Sequence, residues 1–125
     1  MEEVVTTAWC GSEAVALASS SGTVVVLRRA DFSLKTVFQL YSTVKGMRFC
    51  NHYLVVVSSV GIFIAQLTSN FLLVQDPLLV SVSSPDDVID ALLLDGVAVV
   101  TLDRAGGVKC RDLEGQRMAI FKVIC

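Results

Sequence analysis

Residues 97–121 read VAVVTLDRAGGVKCRDLEGQRMAIF, which is three strand-length segments separated by two turns. The first segment is strongly apolar and ends at Asp103, just before the turn residues Gly106 and Gly107. The second ends at residue 112, and a turn at Gly115 leads into the third. Three short strands within about 25 residues are typical of an antiparallel meander. We therefore predict an all-β fold.

The chain repeats this plan three times. When the three units are aligned on Gly22, Gly61 and Gly107, the glycines are 39 and 46 residues apart. We predict that all three lie at the turn between the second and third strands of four-stranded units. A period of about 40 to 45 residues with four strands per unit is typical of propeller blades. The repeats are expected to form one domain, with approximate bounds of 2–40, 41–80 and 81–125.

The central strands of the three units are continuous apolar runs, at residues 24–27, 53–57 and 97–100. Such runs are expected where a sheet is covered on both faces, as when small sheets stack on one another. We predict three stacked antiparallel sheets of four strands each, a partial β-propeller. The outermost strands are predicted at residues 37–40, 71–74 and 118–122.

A rival interpretation concerns residues 84–93, which read SPDDVIDALL. Ser84 at an N-cap, Pro85 at the first helical position and acids in the first turn are helix-start signals. They favour a short helix near 85–94, and with it an α+β fold or a β-sandwich. The repeat pattern instead makes residues 81–87 a loop and residues 88–94 the first strand of the third unit.

The third unit resembles a divergent WD-repeat blade, with a strand, a glycine turn, a strand ending at Asp112 and an outer strand. Residues 16–38, ALASSSGTVVVLRRADFSLKTVF, are similar. Neither the Gly-His pair nor the Trp-Asp pair of that family is present, and Arg111-Asp112 stands where the latter would be. The resemblance implies a propeller without the family's Asp-His hydrogen-bond network.

Composition excludes several classes of function. The net charge is −2 and the basic residues are scattered, whereas nucleic-acid-binding proteins usually carry a basic stripe. No apolar run reaches the roughly 18 residues needed to span a membrane. The chain starts with MEEVVTTAW, which lacks the features of a secretory signal peptide. We expect no nucleic-acid partner, no membrane span, and a cytoplasmic or nuclear location.

Few residues could carry chemistry. His52 is the only histidine, and Asp86, Asp87 and Asp90 form the densest acidic group, although their spacing matches no EF-hand loop. We predict no catalytic residue, no cofactor and no metal ion, and hence no enzyme. The alternative is a small ligand-binding or hydrolytic β-domain that uses His52 or the three aspartates.

The cysteines show no metal-binding spacing, since no CxxC pair is present. Cys10 and Cys50 would be equivalent positions of neighbouring blades, farther apart than a disulfide allows. We predict free thiols.

The sequence favours a protein–protein interaction module or scaffold subunit of a larger assembly. Its hydrophobic fraction is 54% and its charged fraction only 18%, against roughly 45 to 50% and 25% in typical soluble domains. Three blades cannot close a ring, so the two outer faces should bind another subunit or a second copy of the chain. The partner-binding residues predicted on these faces are Val24, Val26, Val97, Val99 and Ile120.

Overall fold

The computed structural model describes residues 4–82 and 84–113, and the backbone of residues 117–122. It contains three four-stranded antiparallel sheets, each built from consecutive strands. The first sheet consists of β1 (Val5–Cys10), β2 (Ala14–Ser19), β3 (Thr23–Arg28) and β4 (Leu34–Gln39). The middle sheet consists of β5 (Val44–Cys50), β6 (Tyr53–Ser58), β7 (Gly61–Gln66) and β8 (Leu78–Val80). The third sheet consists of β9 (Val88–Leu94), β10 (Ala98–Asp103), β11 (Gly107–Asp112) and β12 (Arg117–Lys122). The predicted all-β architecture is confirmed.

The helical interpretation of residues 85–94 is wrong. Pro85–Asp87 forms a single 3-10 turn, and the chain is already extended at Val88. The side chain of Ser84 makes no capping hydrogen bond, so the turn lacks the interaction that would favour its continuation. Strand β9 instead pairs with β10, with Leu93 opposite Val99. Among the described residues, no helix is long and apolar enough to cross a membrane.

The outer strand of the middle sheet lies later in the chain than predicted. Residues 71–74 were expected to form it, whereas the observed strand is Leu78–Val80. Phe71 has a positive φ of 63°, and the hydroxyl of Thr68 accepts a hydrogen bond from the backbone N–H of Leu72 at 3.2 Å. This local turn reverses the chain, so Leu73 forms only an isolated bridge with Leu67, and regular pairing with β7 begins at Leu78.

The aligned glycines lie at the turn between the second and third strands of each sheet. Gly22 precedes β3 with a φ of 96°, and Gly61 begins β7 with a φ of 147°. A Cβ atom at Gly22 would lie 2.6 Å from the carbonyl oxygen of Ser42, so only glycine fits there. Gly107 begins β11, but the positive φ of 83° in that turn belongs to Gly106.

The sheets stack in chain order, and each junction has its own core. The leading strands contact one another in succession, β1 with β5 and β5 with β9. The first junction is built from buried residues of the first and middle sheets: Ala14, Ala16, Ala18, Val24, Val26, Phe38, Leu40, Val44, Met47, Leu54, Val56, Ala65, Leu67 and Phe71. The second is built from residues of the middle and third sheets: Val55, Val57, Ile62, Ile64, Val80, Val88, Ala91, Leu93 and Val99. The middle sheet is therefore covered on both faces.

Candidate protein-binding surfaces

The hairpin register fixes which positions of the three sheets are equivalent. In an antiparallel pair, directly opposed side chains share one face of the sheet. The first registered pairs of the three central hairpins are Ala14 with Arg28, Tyr53 with Gln66, and Ala98 with Asp112. Two residues after Ala14, Tyr53 and Ala98 lie Ala16, Val55 and Val100. These three residues therefore hold the same position in the first, middle and third sheets.

We call the side of a sheet toward the preceding sheet its front face, and the side toward the following sheet its back face. On the middle sheet both faces are buried. Its front-face residues Leu54, Val56 and Ala65 are 0% exposed, whereas Phe63 on the same face is half-buried. Its back-face residues are between 0% and 5% exposed: Val55, Val57, Ile62 and Ile64. The exposed fraction of most side chains therefore falls to a few per cent where a neighbouring sheet covers the face.

The first sheet presents a second apolar surface on the side away from the middle sheet. Val15 pairs with Leu27 and Leu17 with Val25, so the four side chains share this front face. Val15 and Leu27 are equivalent to Leu54 and Ala65 of the middle sheet. Leu17 and Val25 are equivalent to Val56 and Phe63. All four are only half-buried, and neither junction core includes them. We call these four residues the open front face.

The third sheet presents the matching surface on its back face. Val100 pairs with Cys110 and Leu102 with Val108, at positions equivalent to the buried back face of the middle sheet. Val100, Val108 and Cys110 are half-buried and Leu102 is 36% exposed, although the equivalent Val57 is only 3% exposed. We call these four residues the open back face.

Most of the partner-binding residues predicted from the sequence lie elsewhere. Val24 and Val26 are 0% exposed within the first junction, and Val99 is 0% exposed within the second. Because side chains alternate across a strand, the open faces are formed by the residues next to them. Val97 is 65% exposed, in the turn before β10. The side chain of Ile120 lies outside the described residues.

A polar contact joins the three leading strands. The guanidinium of Arg48 on β5 lies 5.5 Å from the ring centroid of Trp9 on β1. The same group forms an ion pair with Asp90 on β9, with 2.8 Å between Nη2 and Oδ2. Lys45 donates a hydrogen bond from Nζ to the carbonyl oxygen of Pro85 at 2.6 Å. These contacts link the leading strands of neighbouring sheets along one edge of the stack.

Known structures share this arrangement. The chain superposes on the WD40 β-propeller domain of Doa1 with a TM-score of 0.67 and 15% identity, over 95% of this chain and 40% of that one. The chain has the fold of three consecutive propeller blades. BamB from Moraxella catarrhalis gives a TM-score of 0.66 at 17% identity, over 97% of this chain and 38% of BamB. The computationally designed protein Ika8 gives 0.67 at 16%, over 94% of this chain and 36% of Ika8.

The chain spans 36% to 40% of these three structures, so each of them contains considerably more polypeptide than the three blades. Neither a protein-family model nor a curated protein matches the sequence. The likeness therefore concerns the fold.

His52 lines a cleft at the junction of the first and middle blades. The cleft measures about 400 Å³, and Phe49 and Phe71 contribute its aromatic wall beside the polar residues Glu13 and Asn51. The His52 ring lies 6.2 Å from that of Phe71, centroid to centroid. A larger groove of about 570 Å³ adjoins the cleft and shares Glu13 and Phe71 with it.

The aspartates named from the sequence do not converge. Asp86 and Asp87 are exposed on the 3-10 turn, whereas Asp90 is paired with Arg48. Within the described ranges, no group of three or more histidine, cysteine, aspartate or glutamate residues could hold a metal ion.

The cysteines Cys10, Cys50 and Cys110 are free thiols. Cys10 and Cys50 are not equivalent, because Cys10 pairs with Val15 whereas Cys50 pairs with Tyr53. The register makes Phe49 the counterpart of Cys10. The sulfur of Cys50 accepts a hydrogen bond at 3.5 Å from the backbone N–H of Leu93 in the next blade. Cys125 lies outside the described residues.

Proposed function

We propose that this chain is a non-catalytic interaction module, a scaffold subunit of a larger assembly that binds protein through its two open blade faces. The proposal treats the three repeats as one domain. One observation carries it: positions that are 0% to 5% exposed on the back face of the middle blade are half-buried or exposed at the end of the stack. An exposed apolar patch of a few hundred Å² on a protein surface often marks a contact site for another molecule.

The energetic drive can be estimated from the side chains themselves. Full burial of a valine or leucine is worth about 1.5 to 3 kcal/mol, so completing the burial of a half-buried one is worth about 1 kcal/mol. Eight such side chains on two faces give a gross gain of about 8 kcal/mol. Association and ordering cost about 4 to 15 kcal/mol, which is of the same size as this gain, so the eight side chains contribute to binding but do not set its affinity by themselves.

Photo-crosslinking tests the proposal directly. A photoreactive amino acid replaces Val25 on the open front face or Leu102 on the open back face, and the chain is then irradiated in its own cells. The matched control carries the same group at Tyr41, which is 87% exposed and belongs to neither open face.

We expect protein adducts at both face positions and few at residue 41, although that position is the most accessible to random collision. If residues 25 and 102 give no adduct while the chain stays folded and monomeric, the faces bind no protein and the proposal is wrong.

The cleft beside His52 supports a second candidate, a small-ligand site between the first two blades. Its aromatic wall and polar rim are typical of ligand pockets, and about 400 Å³ accommodates a small molecule. A hydrolytic site would also need a nucleophile in hydrogen-bond reach of the imidazole, and the described part of the chain shows none. Fragment screening by NMR tests this candidate. Ligand-induced shifts at His52 that vanish in His52→Ala would support it, and no shifts there would reject it.

A further inference from the structure

We propose that the occupant of both open faces is a second copy of this chain, so that two copies close a six-bladed ring. The open back face of each copy packs on the open front face of the other. This inference rests on the proposed function, because it names the partner of the same two surfaces.

The chemistry of the two faces fits this pairing. All four residues of the open front face and all four of the open back face are valine, leucine or cysteine, so none of these eight side chains carries a charge, a hydroxyl or an amide group. At the junction of the first and middle sheets, the alanine-rich back face of the first sheet packs on the front face of the middle sheet, which carries leucine and phenylalanine. The side chains of both open faces are of intermediate size. Packing one open face on the other therefore brings together side chains of similar volume.

Closure supports a second copy over an unrelated partner. Propeller rings contain about four to eight blades, and two copies of three blades give six. A twofold rotation makes the same back-to-front contact twice, which covers all four open faces at once and leaves no surface for further growth. A partner that covers a single face would leave the other exposed, and a different protein that covers both faces is distinguished by the crosslinks described below.

The buried area is that of a stable complex. A sheet of four strands with about six residues each measures roughly 19 by 20 Å, or about 380 Å². Four such faces become covered in the ring, which gives about 1,500 Å² in total. Specific, stable interfaces bury about 1,200 to 2,000 Å². The two contacts together therefore reach the required size, whereas one contact alone reaches only half of it.

Charge substitutions test the back-to-front geometry. Leu17→Arg places a cation at the middle of the open front face, and Val100→Glu places an anion at the middle of the open back face. Light scattering on the unmodified chain should give about 27 kDa, twice the chain mass of 13.4 kDa. Each variant alone should give a 13.4 kDa particle, because both contacts of its ring would bury an unpaired charge.

Mixing the two variants should restore the 27 kDa particle. In the mixed ring one contact joins two unmodified faces, and the other joins arginine to glutamate. Recovery on mixing also shows that each variant is folded. The matched controls are Val60→Arg and Val60→Glu, at a position 50% exposed in the β6–β7 turn, and both should remain at 27 kDa.

Three results would overturn the inference: an unmodified chain that stays at 13.4 kDa, single variants that still dimerise, or a mixture that stays monomeric. Crosslinks from residues 25 and 102 to a different protein would overturn it too, but would leave the proposed function standing. Crosslinks to nothing would remove both.

Discussion

Two valines at equivalent positions give the sharpest test of the open faces. Val55 is 1% exposed on the back face of the middle blade, and Val100 is half-buried at the same position of the third blade. Replacing each by alanine removes the same two methyl groups. The chemical change is therefore matched, and only the covering sheet differs.

The expected costs follow from that difference. At Val55 the lost transfer energy is about 1.6 kcal/mol, and the cavity left between two sheets raises the loss in the free energy of unfolding to about 2 to 3 kcal/mol. At Val100 about half of the transfer energy is lost and solvent fills the space, so the loss in dilute protein should stay below about 1 kcal/mol.

Urea unfolding, followed by far-UV circular dichroism, measures both free energies of unfolding. The free energy of unfolding must fall with urea concentration at the same slope in both variants as in the unmodified chain, or the two costs cannot be compared. As the protein concentration rises, the cost of Val100→Ala should approach that of Val55→Ala, because association buries residue 100. Equal costs at the lowest concentration would refute the reasoning, since they would mean that the chain itself already covers the open back face.

Three further outcomes are expected. Arg48→Met should shift the fluorescence of the chain's single tryptophan while costing less than about 1 kcal/mol, because the ion pair is partly exposed; unchanged emission would contradict the observed stacking. The hydrogen bond from the Arg28 guanidinium holds the pKa of Asp31 well below its usual range, so the stability lost in Asp31→Asn should be constant from pH 7 to about pH 4 and shrink only at lower pH. A loss that disappears already near pH 5 would argue against this pair. Alkylation of Cys110 should slow as the protein concentration rises, because its sulfur lies on the open back face, and a rate independent of concentration would count against association through that face.

The sequence predicted the strands and turns where the local signals were strong. The strand at Val88–Leu94 was predicted with its observed bounds, because the repeat pattern outweighed the helix-start residues before it. The strand at residues 71–74 was predicted wrongly. Its apolar composition suits a strand, but the turn around Phe71 depends on a side-chain hydrogen bond that composition does not reveal.

The faces were harder to predict than the strands. A continuous apolar run such as residues 24–27 contains no alternation, so it does not show which of its side chains face a neighbour within the chain. The adjacent strand did contain a signal. Residues 14–18 read AVALA, and the structure buries its three alanines between sheets while leaving Val15 and Leu17 on the open front face. That alternation of size distinguishes the two sides of the first blade.

The particle mass over a dilution series tests the central claim most directly, because three stacked blades with two open apolar faces should not remain alone. Light scattering should show a mass that rises above 13.4 kDa with concentration and reaches about 27 kDa when two copies close the ring. A folded particle that stays at 13.4 kDa up to millimolar concentration would contradict the claim, because its outer faces would then be stable in water without a partner.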